Sequence, residues 1–367
     1  MRNLSIIIIF SFLSVLNIYG QSAGEEGGES AELSLRIKSM NFIKNNEYYN
    51  PVIEGYTMPG FFFQPEVIYV PSAKVTLRAG THLLKYWGTE KFSQVKPVYS
   101  VTLNLSEKIS FTIGTLSGSD SHRLFDPHFN SERLYNSYFE NGAQFRVLND
   151  NLFSDTWLGW ENFIFKGDST REIFNFGESF RYTFSPVAGF LHFEVPVQIQ
   201  FKHFGGQISN YPEHVETYFN LAAGLRINAD LANKRYGQVG VEYLQFINKV
   251  FAGESPSGIS HGYSSWIRLH YTWKALYIGA AYWNAHDFYA PNGNQIYGSV
   301  SDYEPHLVIP DRRIISNFVY ITFLPESYLE LFLGLDTYYD VDLKRLDNSV
   351  TVHLNFDRLI KLKTFKH

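Results

Sequence analysis

Between Leu191 and Lys202 the chain alternates in polarity. Leu191, Phe193, Val195, Val197, Ile199 and Phe201 are apolar, and His192, Glu194, Gln198, Gln200 and Lys202 stand between them. A period of two puts one set of side chains on each face of an extended strand. The pattern recurs along nearly the whole chain. It predicts strands near 32–44, 60–71, 73–86, 95–106, 107–116, 141–149, 152–166 and 174–185. A second half follows near 187–203, 215–228, 234–248, 259–273, 274–286, 311–324, 326–339 and 347–361. That makes about sixteen strands, with about 14 to 18 compatible, and no convincing amphipathic helix between them.

The joins sort by length. Short turns are expected at Pro71-Ser72, Ser106-Glu107, Asn149-Asp150-Asn151, Ser185-Pro186, Trp273-Lys274 and Pro325-Glu326, with a longer one at 228–233. Long polar loops alternate with them, the longest at 117–140 and 287–310. Short turns at one end and long loops at the other mark an all-β, antiparallel, up-and-down transmembrane barrel. In a bilayer such strands must close, because a free edge leaves backbone groups unpaired in hydrocarbon. Odd positions from Leu191 to Phe201 then face lipid, and His192 to Lys202 face a wet lumen; Pro196 is expected to sit at a bulge. Both termini and the short turns are placed in the periplasm, with the loops at 117–140 and 287–310 extracellular or entering the pore.

The ends and the composition fit export. Arg2, the apolar run 6–18 and Tyr19-Gly20-Gln21 read as a signal peptide over 1–20, too short for a helical span. A Gly/Glu/Ser-rich lead-in (21–31) precedes the barrel (32–367). The chain holds 32 Phe and 25 Tyr, a surplus that aromatic girdles would use. Tyr86, Trp87, Tyr182, Phe184, Trp273, Tyr338 and Tyr339 are placed there. The absence of Cys removes disulfides and thiolate chemistry, and a net charge of −5 points to neither nucleic acid nor an anionic surface.

In this architecture, with its YGQ cleavage region and the segment HRLFDPHFNSERLYNSYFENGAQF (122–145), the chain resembles outer-membrane porin-like proteins of the Bacteroidota. It departs from many of them in ending Phe365-Lys366-His367 rather than on an aromatic residue. The resemblance implies a cell outer-membrane location, contact with lipid and lipopolysaccharide, and delivery by the barrel-insertion machinery. A homo-oligomer is compatible with it. No nucleic-acid partner and no cofactor is expected.

The expected function is a channel for diffusion of small hydrophilic solutes. The alternatives are a surface receptor or adhesin anchored by the barrel and, behind it, an outer-membrane enzyme. Inward cations Arg36, Lys38, Lys74, Arg78, Arg146, Arg181, Lys202, Arg226 and Arg268 nearly balance Glu66, Glu194, Glu216, Glu242, Glu330, Asp336 and Asp357, which argues against a strong ion filter. Loop 117–140 carries both charges and large apolar groups, so it is expected to fold inward. Arg78, Arg146, Arg181, His192, Glu194, Arg226, Arg268, His270, Glu330 and Asp336 would line the pore. His122, Arg123, Asp126 and Arg133 would form its constriction. His122, Asp126 and His128 could hold a divalent ion, but a scatter of His in a polar loop is commoner, and no metal site is assigned. G-x-S-x-G, Walker A and H-E-x-x-H are missing, and His192, His270 and His353 sit on the lumen side, away from any lipase site. The chain is therefore not expected to be an enzyme.

Overall fold

The computed structural model describes residues 30–365 except 186–188, 207, 213–214, 233, 256, 305 and 326. The expected signal peptide lies outside the described residues. The chain forms one closed sixteen-stranded barrel in which each strand pairs antiparallel with its sequence neighbours. Its first quarter comprises β1 (Ala31–Glu47), β2 (Thr57–Ser72), β3 (Val75–Tyr86) and β4 (Gln94–Ser106). β5 (Ile109–Thr115), β6 (Asn141–Leu148), β7 (Leu152–Asn162) and β8 (Glu172–Phe184) follow. Then come β9 (Leu191–Gly205), β10 (Glu216–Asp230), β11 (Gln238–Ala252) and β12 (His261–Trp273). β13 (Leu276–His286), β14 (Asp311–Phe323), β15 (Leu329–Asp340) and β16 (Arg345–Phe365) complete the wall. β16 pairs with β1 from Phe365 opposite Ala31 to Asn348 opposite Glu47, so no strand edge is left open there.

The alternation sorts side chains as expected. Exposed apolar residues such as Leu225, Val241, Ile267, Leu335 and Val350 form the outer belt. Glu178 interrupts it, midway along β8 between the Trp160–Phe174 pair and Tyr182. Its carboxylate accepts from Ser154 Oγ at 2.8 Å and from Thr156 Oγ1, both on the same outer face. Pro196 makes no bulge. The β9–β10 register is the same on both sides of it, and only the pairing opposite Gly224 and Leu225 lapses. Lys74 is not inward but sits in the turn between β2 and β3.

The lumen is packed at the loop end. Phe125, from loop 117–140, lies edge-on to Phe246 and Trp266 at centroid distances of 6.3 and 6.4 Å. From loop 287–310, Phe288 and Tyr297 pack on Trp283 at 5.0 and 5.1 Å. The two loops also hold each other. Asn130 N–H donates to Asn292 O at 2.7 Å, and Asn294 gives its N–H to Asp126 O and its side-chain amide to Asp126 Oδ2. Fully buried Arg312 fastens the second loop to the wall through Asp340 and the carbonyls of Ile296 and Gly298. Burying these rings removes apolar surface that an outer loop would expose to water.

This packing corrects two expectations. Gln198 does not stand in water: it is 0 % exposed, accepting from Phe125 N–H and donating to Arg123 O. Tyr338 and Tyr86 are not girdle residues, since Tyr338 packs on Tyr297 and Tyr86 on Phe42 inside the barrel. Phe193, on the lipid face as expected, lies near the turn end, stacked on Phe184 at 5.3 Å.

His122 anchors loop 117–140. It is fully buried, with Nε2 2.9 Å from Glu140 Oε2 and Nδ1 3.1 Å from Asp155 Oδ2. Its ring stacks on Trp157 at 3.8 Å. Burial alone would lower the pKa, but the two carboxylates raise it to about 9.

Two outcomes follow. Leu221 lies midway along β10, opposite Ile199 and Ile247. Leu221→Arg should cost about 2–4 kcal/mol in a lipid-folding titration, and Val239→Arg, near the turn end of β11, only about 0–1 kcal/mol. Equal costs would refute the depth assignment. A pKa raised on folding gives stability that is complete below about 6.5 and lost as pH rises through about 9. Hydrogen-exchange protection of residues 117–126 should drop across that window, and His122→Gln should abolish the step. A step that survives the substitution would assign it to another group.

Candidate functional site

The rim of the barrel is uneven because two strands are short. Ser100 of β4 pairs with Gly114 near the end of β5, so residues 94–98 run on beyond it. Gly159 of β7 pairs with Gly142 near the start of β6, and residues 160–162 project in the same way. The wall is therefore notched at β5 and β6, where loop 117–140 dives into the lumen. A cavity of about 410 Å³ opens there, lined by Gln94, Lys96, Arg133, Glu140, Trp160 and Glu161 among others. Arg133 Nη2 donates to Glu161 Oε1 at 3.1 Å, and Lys202 pairs with the other oxygen of that carboxylate.

Next to the notch, on the lipid-facing wall, four strands align one residue each. Cross-strand pairing sets Trp160 beside Phe174, Phe174 beside His203, and His203 beside Thr217. Trp160 stacks on Phe174 at 5.1 Å and Phe174 on His203 at 4.7 Å. His203 Nδ1 lies 2.9 Å from Thr217 Oγ1. Glu172 shares this face and pairs with Gly205, diagonal to His203, a relation that spans roughly 7–8 Å. A Cβ on Gly205 would come within 2.8 Å of His203 Nε2, so the glycine keeps that nitrogen clear. Towards mid-depth, Phe201, Phe219 and Phe251 cluster with centroids 5.0–5.9 Å apart. A hydroxyl bonded to an imidazole is a nucleophile–base pair, and Glu172 adds a negative charge on the same face. His203 continues the odd series that ends at Phe201, so its outward face is legible in the sequence. Its partner Thr217 depends on strand register, which the alternation alone does not give.

The residues expected to line a pore scatter among several contacts. Arg226 bonds Glu194 at 2.8 Å and Glu242 at 2.6 Å, and Arg268 bonds Glu242 at 3.1 Å. Arg78 lies 3.7 Å from Glu66, and Arg146 3.1 Å from Asp155. Arg181 donates to the carbonyl of Arg123, whose own guanidinium lies over Phe153 at 4.3 Å. With Arg226, Arg268, Asp126 and Asp336, Arg181 surrounds a second cavity of about 270 Å³ beneath the loops. His192 contacts Asp230 and Ser185 near the turn end, His270 contacts Asn228, and Glu330 accepts from Asn355. His122, Asp126 and His128 do not converge. Asp126 is tied to Ser131 and Asn294. The His128 ring is buried against Phe246, its nitrogens without a hydrogen-bond partner among the described residues, and burial pushes its pKa down to about 3.

Solved structures share this fold. A loop-deleted form of OmpT, an outer membrane protein of Vibrio cholerae, matches at 11% identity over 89% of this chain and 99% of that one, with a TM-score of 0.53. OpdL of Pseudomonas aeruginosa matches at 12% identity over 90% and 99%, with a TM-score of 0.50. A BenF-like porin from Pseudomonas fluorescens Pf-5 matches at 8% identity over 90% and 99%, also at 0.50. At such identities the likeness is one of fold: a porin-like barrel. No curated protein matches the sequence. The family described as Lipid A 3'-O-deacylase-type matches residues 25–365. That match overturns the expectation that the chain is not an enzyme, which rested on missing contiguous hydrolase and nucleotide motifs and on the lumen-side placement of His192, His270 and His353, and could not register groups paired across strands. Matched over nearly its whole length, the chain belongs to the Lipid A 3'-O-deacylase-type family.

Proposed function

We propose that the protein is an outer-membrane acyl-ester hydrolase that acts on a glycolipid of the outer leaflet, with its loop end facing outwards. The observation that carries this reading is the His203–Thr217 contact of 2.9 Å on the lipid-facing wall. It lies level with Trp160 and Phe174, and interfacial aromatic rings mark headgroup depth. Ester bonds joining sugar to acyl chains lie at that depth. The family's name supplies the substrate class, the acyl ester of a lipid A-type molecule.

The chemistry follows from the geometry. With the ring proton on Nε2, His203 Nδ1 accepts from the Thr217 hydroxyl and takes its proton as Oγ1 attacks the ester carbonyl. The same imidazole returns that proton to the sugar oxygen as the acyl–oxygen bond breaks. Water, activated in turn by His203, then attacks the acyl-threonine and releases the fatty acid. Glu172 favours the imidazolium that forms in each half, and Phe201, Phe219 and Phe251 offer an apolar bed for the chain being cut.

A second reading, passage of small hydrophilic solutes, is favoured by the charged lumen around Arg226, Arg268 and Glu242. Its path would have to pass the interlocked loops, and stable conductance steps in a planar bilayer would support it.

His203→Ala and Thr217→Val should each lower fatty-acid release from lipopolysaccharide vesicles by about 10²–10⁴-fold, the range of a lost acid–base group. Gly205→Ala should also lower it by crowding Nε2. Mass spectrometry of the lipid reads the outcome. Undiminished release by folded His203→Ala and Thr217→Val barrels would remove this pair from the chemistry.

A further inference from the structure

The notch cavity has the chemistry of a sugar site. Gln94 and Asn141 bring planar amides to its walls, and Phe139 and Trp160 bring aromatic rings, while the amide of Asn175 is taken up by Glu161 and Asn292. Amides exchange paired hydrogen bonds with vicinal hydroxyls, while ring faces cover the C–H surface of a pyranose. Gln94 Oε1 and Arg133 Nε, in two of the lining residues, are buried and have no hydrogen-bond partner among the described residues. Leaving such atoms unpaired is unfavourable unless something else bonds them.

Charge adds a second constraint. Glu161 is engaged by Lys202 and Arg133, and Glu140 by His122. Lys96 lies over the Phe139 ring at 5.1 Å and, among the described residues, makes no ion pair. The carboxylates of the cavity are thus already matched, and Lys96 is left as surplus positive charge.

We propose that the notch binds an anionic saccharide, with a phosphate or carboxylate substituent on Lys96 and Arg133 and a sugar ring against Trp160 and Phe139. The site deepens the hydrolase reading, because Trp160 also begins the row that ends at His203 and Thr217. His203 is two strands from Trp160, about 10 Å away. A headgroup held in the notch would therefore present its acyl esters to the pair on the wall. The same chemistry would take a free acidic oligosaccharide from the medium.

The test uses the purified full barrel in detergent and two soluble probes, a phosphorylated glucosamine disaccharide and its unphosphorylated counterpart. Calorimetry should show the phosphorylated probe binding more tightly. Lys96→Gln should weaken that binding by about tenfold or more while leaving the neutral probe unchanged, as loss of one charge-assisted contact predicts. Trp160→Leu should weaken both. Lys96 is half-exposed and outside the plug, so Lys96→Gln stays informative if Arg133→Gln fails to fold. Equal affinity for the two probes, or unchanged binding by Lys96→Gln, would overturn the assignment. Vesicles bearing lipopolysaccharide separate the sources. Binding that Lys96→Gln weakens there identifies the membrane glycolipid, and an effect confined to the soluble probe identifies a free saccharide. The two proposals fail separately: saccharide binding without ester cleavage would sink the catalytic pair alone, and cleavage insensitive to Lys96→Gln and Trp160→Leu would sink the notch.

Discussion

Everything in this molecule depends on the backbone hydrogen bonds of the wall. In hydrocarbon an unpaired N–H or C=O has no water to turn to, so strands can cross only if each is paired on both sides. The chain meets this by pairing each strand with its sequence neighbours and β16 with β1 over nearly their whole length. Closure then dictates the side chains. A period of two around a ring leaves one face for lipid and one for the lumen. It also explains why Pro196 is tolerated without a bulge: pairing on the β10 side lapses only opposite Gly224 and Leu225, while the β8 side remains in register.

A sixteen-stranded ring leaves more interior than wall residues alone can fill, and the two long loops occupy its loop end. Their apolar side chains, Phe125, Phe288 and Tyr297, meet Phe246, Trp266 and Trp283, which project inward from the strands. Polar contacts give the packing its direction. His122 held between Glu140 and Asp155 and Arg312 against Asp340 are buried charge pairs whose desolvation is offset only in a single geometry. They select where each loop lies more than they add to stability.

The strand order, the alternation of faces and the inward course of loop 117–140 were legible in the sequence, because local periodicity and a loop rich in Phe, Leu and Tyr are enough to indicate them. The fate of individual lumen residues was not. Gln198 reads as water-facing from its even position, yet the backbone of Phe125 and the carbonyl of Arg123 cover it. Tyr86 and Tyr338 read as girdle residues because they stand at strand ends, but parity turns them inward onto the plug. The His203–Thr217 contact joins residues that belong to separate strands, and only the β9–β10 register brings them together. Motif searches read contiguous sequence, so a candidate site assembled across a barrel wall escapes them.

The notch and the aromatic row assign different tasks to the two faces of one wall. Because β5 and β6 stop short, a polar cavity that would otherwise lie inside the barrel reaches the membrane side at Trp160. Saccharides need water-compatible amides and charges, whereas acyl chains need apolar surface, and no single face of a barrel strand supplies both. Trp160 lines the cavity and stacks on Phe174 outside it, and so links the two environments. A glycolipid is itself divided in the same way, with polar sugar above and chains below, joined by esters. On the proposed function, the shortened strands would let a barrel packed at its loop end engage both halves of such a molecule from its outer surface, without drawing the chains through the interior.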